Sequence, residues 1–129
     1  MTSAVRVLVV DDEPLIRWAL QQALTDHGFA VTVAGDGQAA LRVVADALEA
    51  SEGLDVVLLD YRLPDSDGLS LFRTIRGLLP RGQVILMTAF GTPDVMHHAL
   101  DLGAFRVVMK PFEVADVAAI IRRAHPTTA

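Results

Sequence analysis

The sequence predicts an α/β fold, a doubly wound parallel sheet of five strands built as a (βα)5 chain. Two observations lead to this prediction. Short β-branched runs alternate five times with segments whose apolar residues recur at helical spacing. The runs themselves are almost continuously apolar, as strands are when both faces of the sheet are buried. Right-handed crossovers then place helices on both faces.

The elements follow one another along the whole chain. The predicted strands are 5–10, 30–34, 56–59, 84–87 and 107–109, and helical spacing covers 15–24, 40–48, 71–79, 92–103 and 114–121. Thr92 is the expected N-cap of the fourth helix, because its hydroxyl can accept a bond from a free N–H of the first turn. Gly28 and Gly103 stand where the first and fourth helices would end in a left-handed residue.

Composition excludes several classes of protein. The chain has 129 residues, 52% of them hydrophobic, so we expect a single domain over 1–129 with a polar tail at 125–129. The lack of cysteine excludes disulfides, thiol catalysis and zinc ribbons. A net charge of −5 without a basic run argues against direct nucleic-acid binding. No signal peptide and no apolar run of membrane length are visible, so we expect a cytoplasmic protein without membrane contact.

Polar side chains stand at the carboxyl ends of four of the five predicted strands. They are Asp11 and Asp12 after the first strand, Asp60 after the third, Thr88 after the fourth, and Lys110, the only lysine among eleven basic residues, after the fifth. Taken singly, each has a structural interpretation as a helix cap, a turn residue, a strand residue or a solvated end. Taken together, they share the sheet edge where this architecture binds ligands.

Three carboxylates at one sheet edge require a cation nearby. Two of them 4 Å apart repel by about 4 kcal/mol at an effective dielectric near 20. Because the cluster offers only oxygen ligands, with no histidine or cysteine, the expected ion is Mg²⁺, with Mn²⁺ as a substitute. The charges of Mg²⁺ and Lys110 would then balance those of the three carboxylates.

Four spaced motifs resemble those of the receiver domain of bacterial two-component response regulators. They are LVVDDEP at 8–14, LLDYRLP at 58–64 followed by Asp67 and Gly68, MTA at 87–89, and KPF at 110–112. The resemblance runs in order from Val5 to Arg123 and implies the flavodoxin-like receiver fold with strand order 2-1-3-4-5. The segments 87–92 and 102–105 are loosely similar to receivers that precede the ATPase of sigma-54-dependent transcription activators. The chain is then either a stand-alone receiver or a piece of a larger regulator.

The resemblance implies a phosphorylation switch centred on Asp60. That side chain would accept a phosphoryl group from a histidine of a sensor kinase or phosphotransfer protein. The implied Mg²⁺ ligands are Asp12, Asp11 partly through water, Asp60 and the backbone carbonyl of Arg62. Thr88 and Lys110 would contact the phosphoryl oxygens, and Pro111 would follow a cis peptide bond.

Some positions depart from the family pattern or vary within the family. Val107 stands at the switch position, where the family has an aromatic residue, so we expect output through the loop after Thr88 and the fourth helix. Arg62 and Phe90 are expected to shield the acyl phosphate from water. Trp18 is either a core residue or part of the kinase-docking face. The fourth helix, fifth strand and fifth helix form the family's usual homodimer surface.

Three functions fit these residues. The first is a signalling switch that catalyses only its own phosphorylation and slow dephosphorylation, and so controls an effector, expected to be transcriptional. The second is a Mg²⁺-dependent phosphohydrolase that works through an aspartyl phosphate. Such hydrolases generally have a second acid two residues after the nucleophile, where this chain has Arg62. The third is an interaction module that never handles phosphate.

Overall fold

The structure, a computed structural model, describes residues 4–51, 53–67, 69–89 and 92–125. Its helices are α1 (Pro14–Asp26), α2 (Gly37–Glu49), α3 (Leu69–Leu78), α4 (Pro93–Asp101) and α5 (Val114–Ala124). Its strands are β1 (Arg6–Val10), β2 (Ala30–Ala34), β3 (Val56–Asp60), β4 (Arg62–Leu63), β5 (Ser66–Asp67), β6 (Gln83–Thr88) and β7 (Arg106–Met109). The five predicted strands agree with β1, β2, β3, β6 and β7 within one residue at each end. Residues 126–129 of the predicted tail lie outside the described residues.

The described strands form a five-stranded parallel sheet in the order β2-β1-β3-β6-β7. The two-residue strands β4 and β5 pair only with each other, as an antiparallel hairpin between β3 and α3. With this hairpin set apart, the order is the predicted 2-1-3-4-5, and the α/β fold class is confirmed. The order reverses between β1 and β3, and this reversal opens a crevice beyond the carboxyl ends of the strands.

The hydrophobic core lies on both faces of the sheet, as the continuously apolar strands predict. Successive side chains of β1 point to opposite faces. Leu8 and Val10 belong to the core beneath α2 and α3, whereas Val7 and Val9 belong to the core beneath α1 and α5. Because all four are fully buried, β1 is held from above and below, and the residue that follows it has a well-defined position.

Local signals set the helix ends. The Thr92 hydroxyl accepts a hydrogen bond from the Val95 N–H at 3.3 Å, which caps α4 as predicted. Gly28 and Gly103 have φ values of 93° and 107°, the left-handed conformation expected after a helix. Among the described residues no helix combines the length and the apolar character needed to cross a bilayer.

Candidate functional site

Four polar residues lie at the carboxyl edge of the sheet. Asp11 follows β1, Asp60 and Thr88 are the last residues of β3 and β6, and Lys110 follows β7. Although they are polar, Asp11, Asp60 and Thr88 are only 0%, 6% and 2% exposed. Burial of two carboxylates is costly unless they are paired. The sheet therefore brings together the strand-end residues that the sequence singled out.

Lys110 supplies the charge that pairs both buried carboxylates. Its Nζ lies 2.8 Å from Asp11 Oδ2 and 3.1 Å from Asp60 Oδ2. The exposed Glu13 carboxylate is more distant, at 3.6 Å. The backbone N–H of Lys110 donates to the Thr88 carbonyl at 2.8 Å, and the Lys110–Pro111 peptide bond is cis, as the resemblance implies. One ammonium group thus bridges the ends of β1 and β3.

The second oxygen of each buried carboxylate accepts a backbone hydrogen bond. Asp11 Oδ1 accepts from the Glu13 N–H at 2.9 Å, and Asp60 Oδ1 accepts from the Arg62 N–H at 3.1 Å. Asp12, by contrast, is exposed. Carboxylate oxygens of Asp11, Asp12 and Asp60 lie within 4.8 Å of one another. Three negative groups therefore face one ammonium group in a space that would accept a cation.

The pKa values reflect this crowding of charge. Burial raises the pKa of Asp60 above its ordinary value, although the Arg62 N–H and Lys110 both oppose the shift. Burial would lower the pKa of Lys110, but hydrogen bonds to Asp11 and Asp60 and the negative charges of both outweigh it, so this pKa is raised. Lys110 is therefore charged at neutral pH, while ionised Asp60 is disfavoured by its surroundings.

This imbalance leads to a pH-dependent stability difference between the metal-free wild-type protein and Asp60→Asn. The pKa of Asp60 is raised in the folded state above its ordinary value of 3.8, so folding favours the protonated carboxyl. This contribution to stability is complete below pH 3.8 and is lost as the pH rises through the pKa of the folded state. Asp60→Asn, which cannot ionise, should therefore be more stable than wild type at neutral pH. The gain should vanish below pH 3.8.

Urea unfolding of both proteins in EDTA, at a series of pH values, measures the difference in the free energy of unfolding. Lys110 keeps its bond to Asp11 in the variant, so the comparison isolates the Asp60 charge. A gain of the same size at acidic and neutral pH would contradict the expectation.

Four other positions were singled out from the sequence: Arg62, Val107, Phe90 and Trp18. Arg62 begins the β4–β5 hairpin with an exposed side chain, whereas Val107 is half-buried on β7, beside Leu86 of β6. Phe90 lies outside the described residues. Trp18 is 62% exposed on α1, so the core alternative for this residue is wrong.

A scan of known families identifies the chain. The model of the response regulator receiver domain matches residues 7–122, nearly the whole of the described structure. The chain belongs to the response regulator receiver family. The receiver resemblance stated from the four motifs is thereby confirmed.

The relatives of this receiver include much longer proteins. It is 39% identical over 124 residues to regulatory protein AtoC of Escherichia coli (strain K12). The aligned residues cover 96% of this chain and 26% of AtoC. It is 41% identical over 120 residues to the DNA-binding transcriptional regulator NtrC of Proteus hauseri. The aligned residues cover 92% of this chain and 24% of NtrC. The receiver thus spans about a quarter of the length of these curated relatives.

Solved structures share the fold over nearly the full receiver. A CheY-like receiver domain protein from Methanospirillum hungatei JF-1 superposes with a TM-score of 0.85 at 27% identity, covering 94% of this chain and 93% of that one. A response regulator protein from Burkholderia pseudomallei, solved with a phosphorylated aspartic acid, calcium ion and citrate, has a TM-score of 0.80 at 25% identity and covers 91% of this chain and 66% of its own.

The receiver structure also contains two contacts that the sequence did not indicate. The Arg17 guanidinium donates to the backbone carbonyl of Asp11 at 2.8 Å, and a Cβ on Gly35 would lie 2.8 Å from the same guanidinium nitrogen. Asp65 stands in a segment, 64–68, that is rich in turn-forming residues, and it accepts hydrogen bonds from the first turn of α2. Asp67 of the same segment lies in β5, because the turn itself consists of Pro64 and Asp65.

Proposed function

We propose that this receiver is a cytoplasmic phosphoacceptor switch in which Asp60 takes a phosphoryl group from a histidine of a sensor kinase or phosphotransfer protein. One observation carries the proposal: the Lys110 ammonium bridges Asp11 and Asp60 beside a third carboxylate, that of Asp12. Such an arrangement pairs a nucleophilic carboxylate with groups that can neutralise a phosphoryl group.

The chain's own residues supply most of the chemistry. A carboxylate oxygen of Asp60 attacks phosphorus, the bond from phosphorus to the histidine nitrogen breaks, and its electron pair stays on the imidazole. Lys110, now 3.1 Å from Asp60 Oδ2, can follow the new charge onto a phosphoryl oxygen. The Thr88 hydroxyl would donate to another of these oxygens, since Thr88 ends the neighbouring strand.

A divalent cation fits the same cluster. Asp11, Asp12, Asp60 and the backbone carbonyl of Arg62 would hold Mg²⁺, or Mn²⁺ in its place, because all four are oxygen donors. Both oxygens of Asp11 already accept hydrogen bonds, whereas Asp12 is exposed, which supports Asp12 as the more direct ligand. When bound, the ion would neutralise charge on the phosphoryl oxygens.

Charge bookkeeping supports this set of residues. After phosphorylation the free carboxylates of Asp11 and Asp12 contribute −2 and the acyl phosphate about −2. A divalent cation and Lys110 contribute +3. The remaining charge of about −1 is small enough for the Thr88 hydroxyl and backbone N–H groups to stabilise by hydrogen bonds.

The exposed apolar residues support two further parts of the proposal. Leu15 and Trp18 are three residues apart on α1 and both exposed, which suits a docking face for the phosphoryl donor. Leu100 of α4 and Met109 of β7 are exposed as well, which suits a homodimer surface over α4, β7 and α5. The output would reach an effector, and similarity to the DNA-binding transcriptional regulator NtrC supports a transcriptional one. The resemblance of the segments 87–92 and 102–105 points to the sigma-54-dependent type.

Within this proposal the receiver is one domain over 1–129 and not a turnover enzyme. The hydrolase alternative lacks an acid two residues after Asp60, where Arg62 stands with an exposed side chain. Arg62 and Phe90 would instead shield the acyl phosphate and slow its hydrolysis. Val107 has no ring to move between solvent and core, so output would run through the loop after Thr88 and α4.

Incubation with Mg²⁺ and acetyl phosphate separates the three functions. The switch should gain the mass of one phosphoryl group, and peptide mapping should place that group on Asp60. Repeated release of phosphate, well beyond one equivalent per protein, would favour the hydrolase. The absence of both the mass gain and the release would favour the inert module.

A further inference from the structure

The turn of the β4–β5 hairpin is bonded to a distant helix. The Asp65 carboxylate accepts hydrogen bonds from the Gly37 N–H at 2.7 Å and the Gln38 N–H at 3.0 Å. These are the first two residues of α2, 28 and 27 positions earlier in the chain. One carboxylate therefore joins the loop that follows Asp60 to the start of α2.

Asp65 is not the N-cap of that helix. Asp36 is the N-cap, and its side chain accepts from the Ala39 N–H at 2.7 Å. The hydrogen bonds from Gly37 and Gln38 lower the pKa of Asp65, so it is ionised at neutral pH, and a negative charge at a helix N-terminus is favourable. Since α2 has a cap of its own, the bonds from Asp65 add a connection between α2 and the hairpin.

The contact is closely fitted on the helix side. A Cβ built on Gly37 would lie 3.1 Å from Asp65 Oδ1 and 3.2 Å from Leu71 Cδ2 of α3. Both distances are shorter than ordinary van der Waals contacts of a methyl group. The helix therefore begins with a residue that lets the carboxylate approach its backbone.

The hairpin is held at its base as well as at its turn. At the base, the Arg62 N–H donates to Asp60 Oδ1, and Leu63 is buried in the core beneath α2 and α3. At the turn, Asp65 is bonded to α2. The carbonyl of Arg62, a proposed cation ligand, lies along the chain between the Arg62 N–H at the base and Asp65 at the turn.

We propose that Asp65 is a positioning residue for the phosphoacceptor site: by bonding the hairpin turn to α2, it holds the Arg62 backbone where it contacts Asp60 and a bound cation. The proposal rests on the function proposed above. It assigns no contact between Asp65 and the phosphoryl group, so Asp65 acts only through the hairpin.

The test uses the affinity for Mg²⁺ alone, measured by titration of backbone amide resonances. Replacing a group that orients a metal ligand commonly weakens metal binding by 10–100-fold. For Asp65→Ala we expect about tenfold, the lower end of this range, because Asp65 acts on the Arg62 carbonyl only through the backbone of the hairpin. Asp65→Asn keeps one acceptor oxygen and should lose less. Gly37→Ala leaves Asp65 in the sequence but places a methyl group against its carboxylate, so it should also weaken Mg²⁺ binding.

Asp36→Ala is the matched control, because it removes the other side-chain acceptor at the start of α2 and leaves the hairpin bonds intact. It should lower the thermal stability but bind Mg²⁺ with wild-type affinity. Equal weakening in Asp36→Ala and Asp65→Ala would overturn the proposal, since the effect would then run through helix stability. Wild-type affinity in Asp65→Ala and in Gly37→Ala would overturn it as well.

Measuring phosphorylation separates the role of Asp65 from the proposed function on which it rests. Phosphorylation of Asp65→Ala by acetyl phosphate should be slowed at low Mg²⁺ and should approach the wild-type rate at saturating Mg²⁺. If wild type binds Mg²⁺ but never gains a phosphoryl group, the proposed function fails, and the affinities still decide the role of Asp65. If wild type is phosphorylated and all variants keep its affinity for Mg²⁺, only the role of Asp65 fails.

Discussion

Replacing Asp60 with asparagine is expected to abolish phosphoryl incorporation from acetyl phosphate. The amide is a poor nucleophile, and no other carboxylate in the cluster matches the position of Asp60. Asp11 has no exposed surface, whereas Asp60 is 6% exposed, and the side chain of Asp12 is exposed. Asp60 ends the central strand β3 and contacts both Lys110 and the Arg62 N–H. Intact-protein mass spectrometry in Mg²⁺ measures the loss.

Asp36→Asn is a suitable control, because it makes the same chemical change at the start of α2. It should be phosphorylated like wild type. The Asp60→Asn protein is also expected to be at least as stable as wild type at neutral pH, so unfolding would not explain a loss of phosphorylation. Incorporation at the wild-type level in Asp60→Asn would mean that another side chain is the acceptor.

Removing the Lys110 ammonium is expected to destabilise the folded protein in the absence of a divalent cation. In Lys110→Ala the buried carboxylates of Asp11 and Asp60 lose their shared cation, which costs about 3 kcal/mol of folding free energy when a buried pair is broken. Mg²⁺ should restore more stability to this variant than to wild type, because it supplies the missing positive charge. Urea unfolding in EDTA and in Mg²⁺ measures both effects.

The matched control is Arg123→Ala, which removes one positive charge from an exposed position on α5. It should change stability by no more than about 0.5 kcal/mol. A similar small loss for Lys110→Ala in EDTA would contradict the central role of the ammonium group.

Lys110→Arg tests why this single lysine stands in a chain that otherwise uses arginine. A guanidinium keeps the charge but is planar and larger, so it does not fit as a point charge between two carboxylate oxygens at 2.8 and 3.1 Å. We expect slower phosphorylation and a smaller conformational response than in wild type. An unchanged response would show that charge alone is sufficient at this position.

Most of the fold follows from short-range patterns. The apolar runs and helical spacings predict all five strands of the sheet and their flanking helices, because each pattern depends on neighbours within about one turn or one strand. The positions of Asp60 and Thr88 at strand ends follow for the same reason. The hairpin at 62–67 was not predicted, since two-residue strands carry no period that a sequence can display.

The alternating pattern of strands and helices is enough to predict which residues share the ligand-binding edge of the sheet. The carboxyl ends of parallel strands lie at one edge, so the polar residues at the ends of β1, β3, β6 and β7 share that edge once the alternating pattern is established. The contacts themselves are visible only in the packed structure. One ammonium is shared by two buried carboxylates, Arg17 donates to the Asp11 carbonyl, and Asp65 accepts from the first turn of α2. These contacts join residues that have no periodic relation in the chain. The distances between them are set by how the helices pack against the sheet.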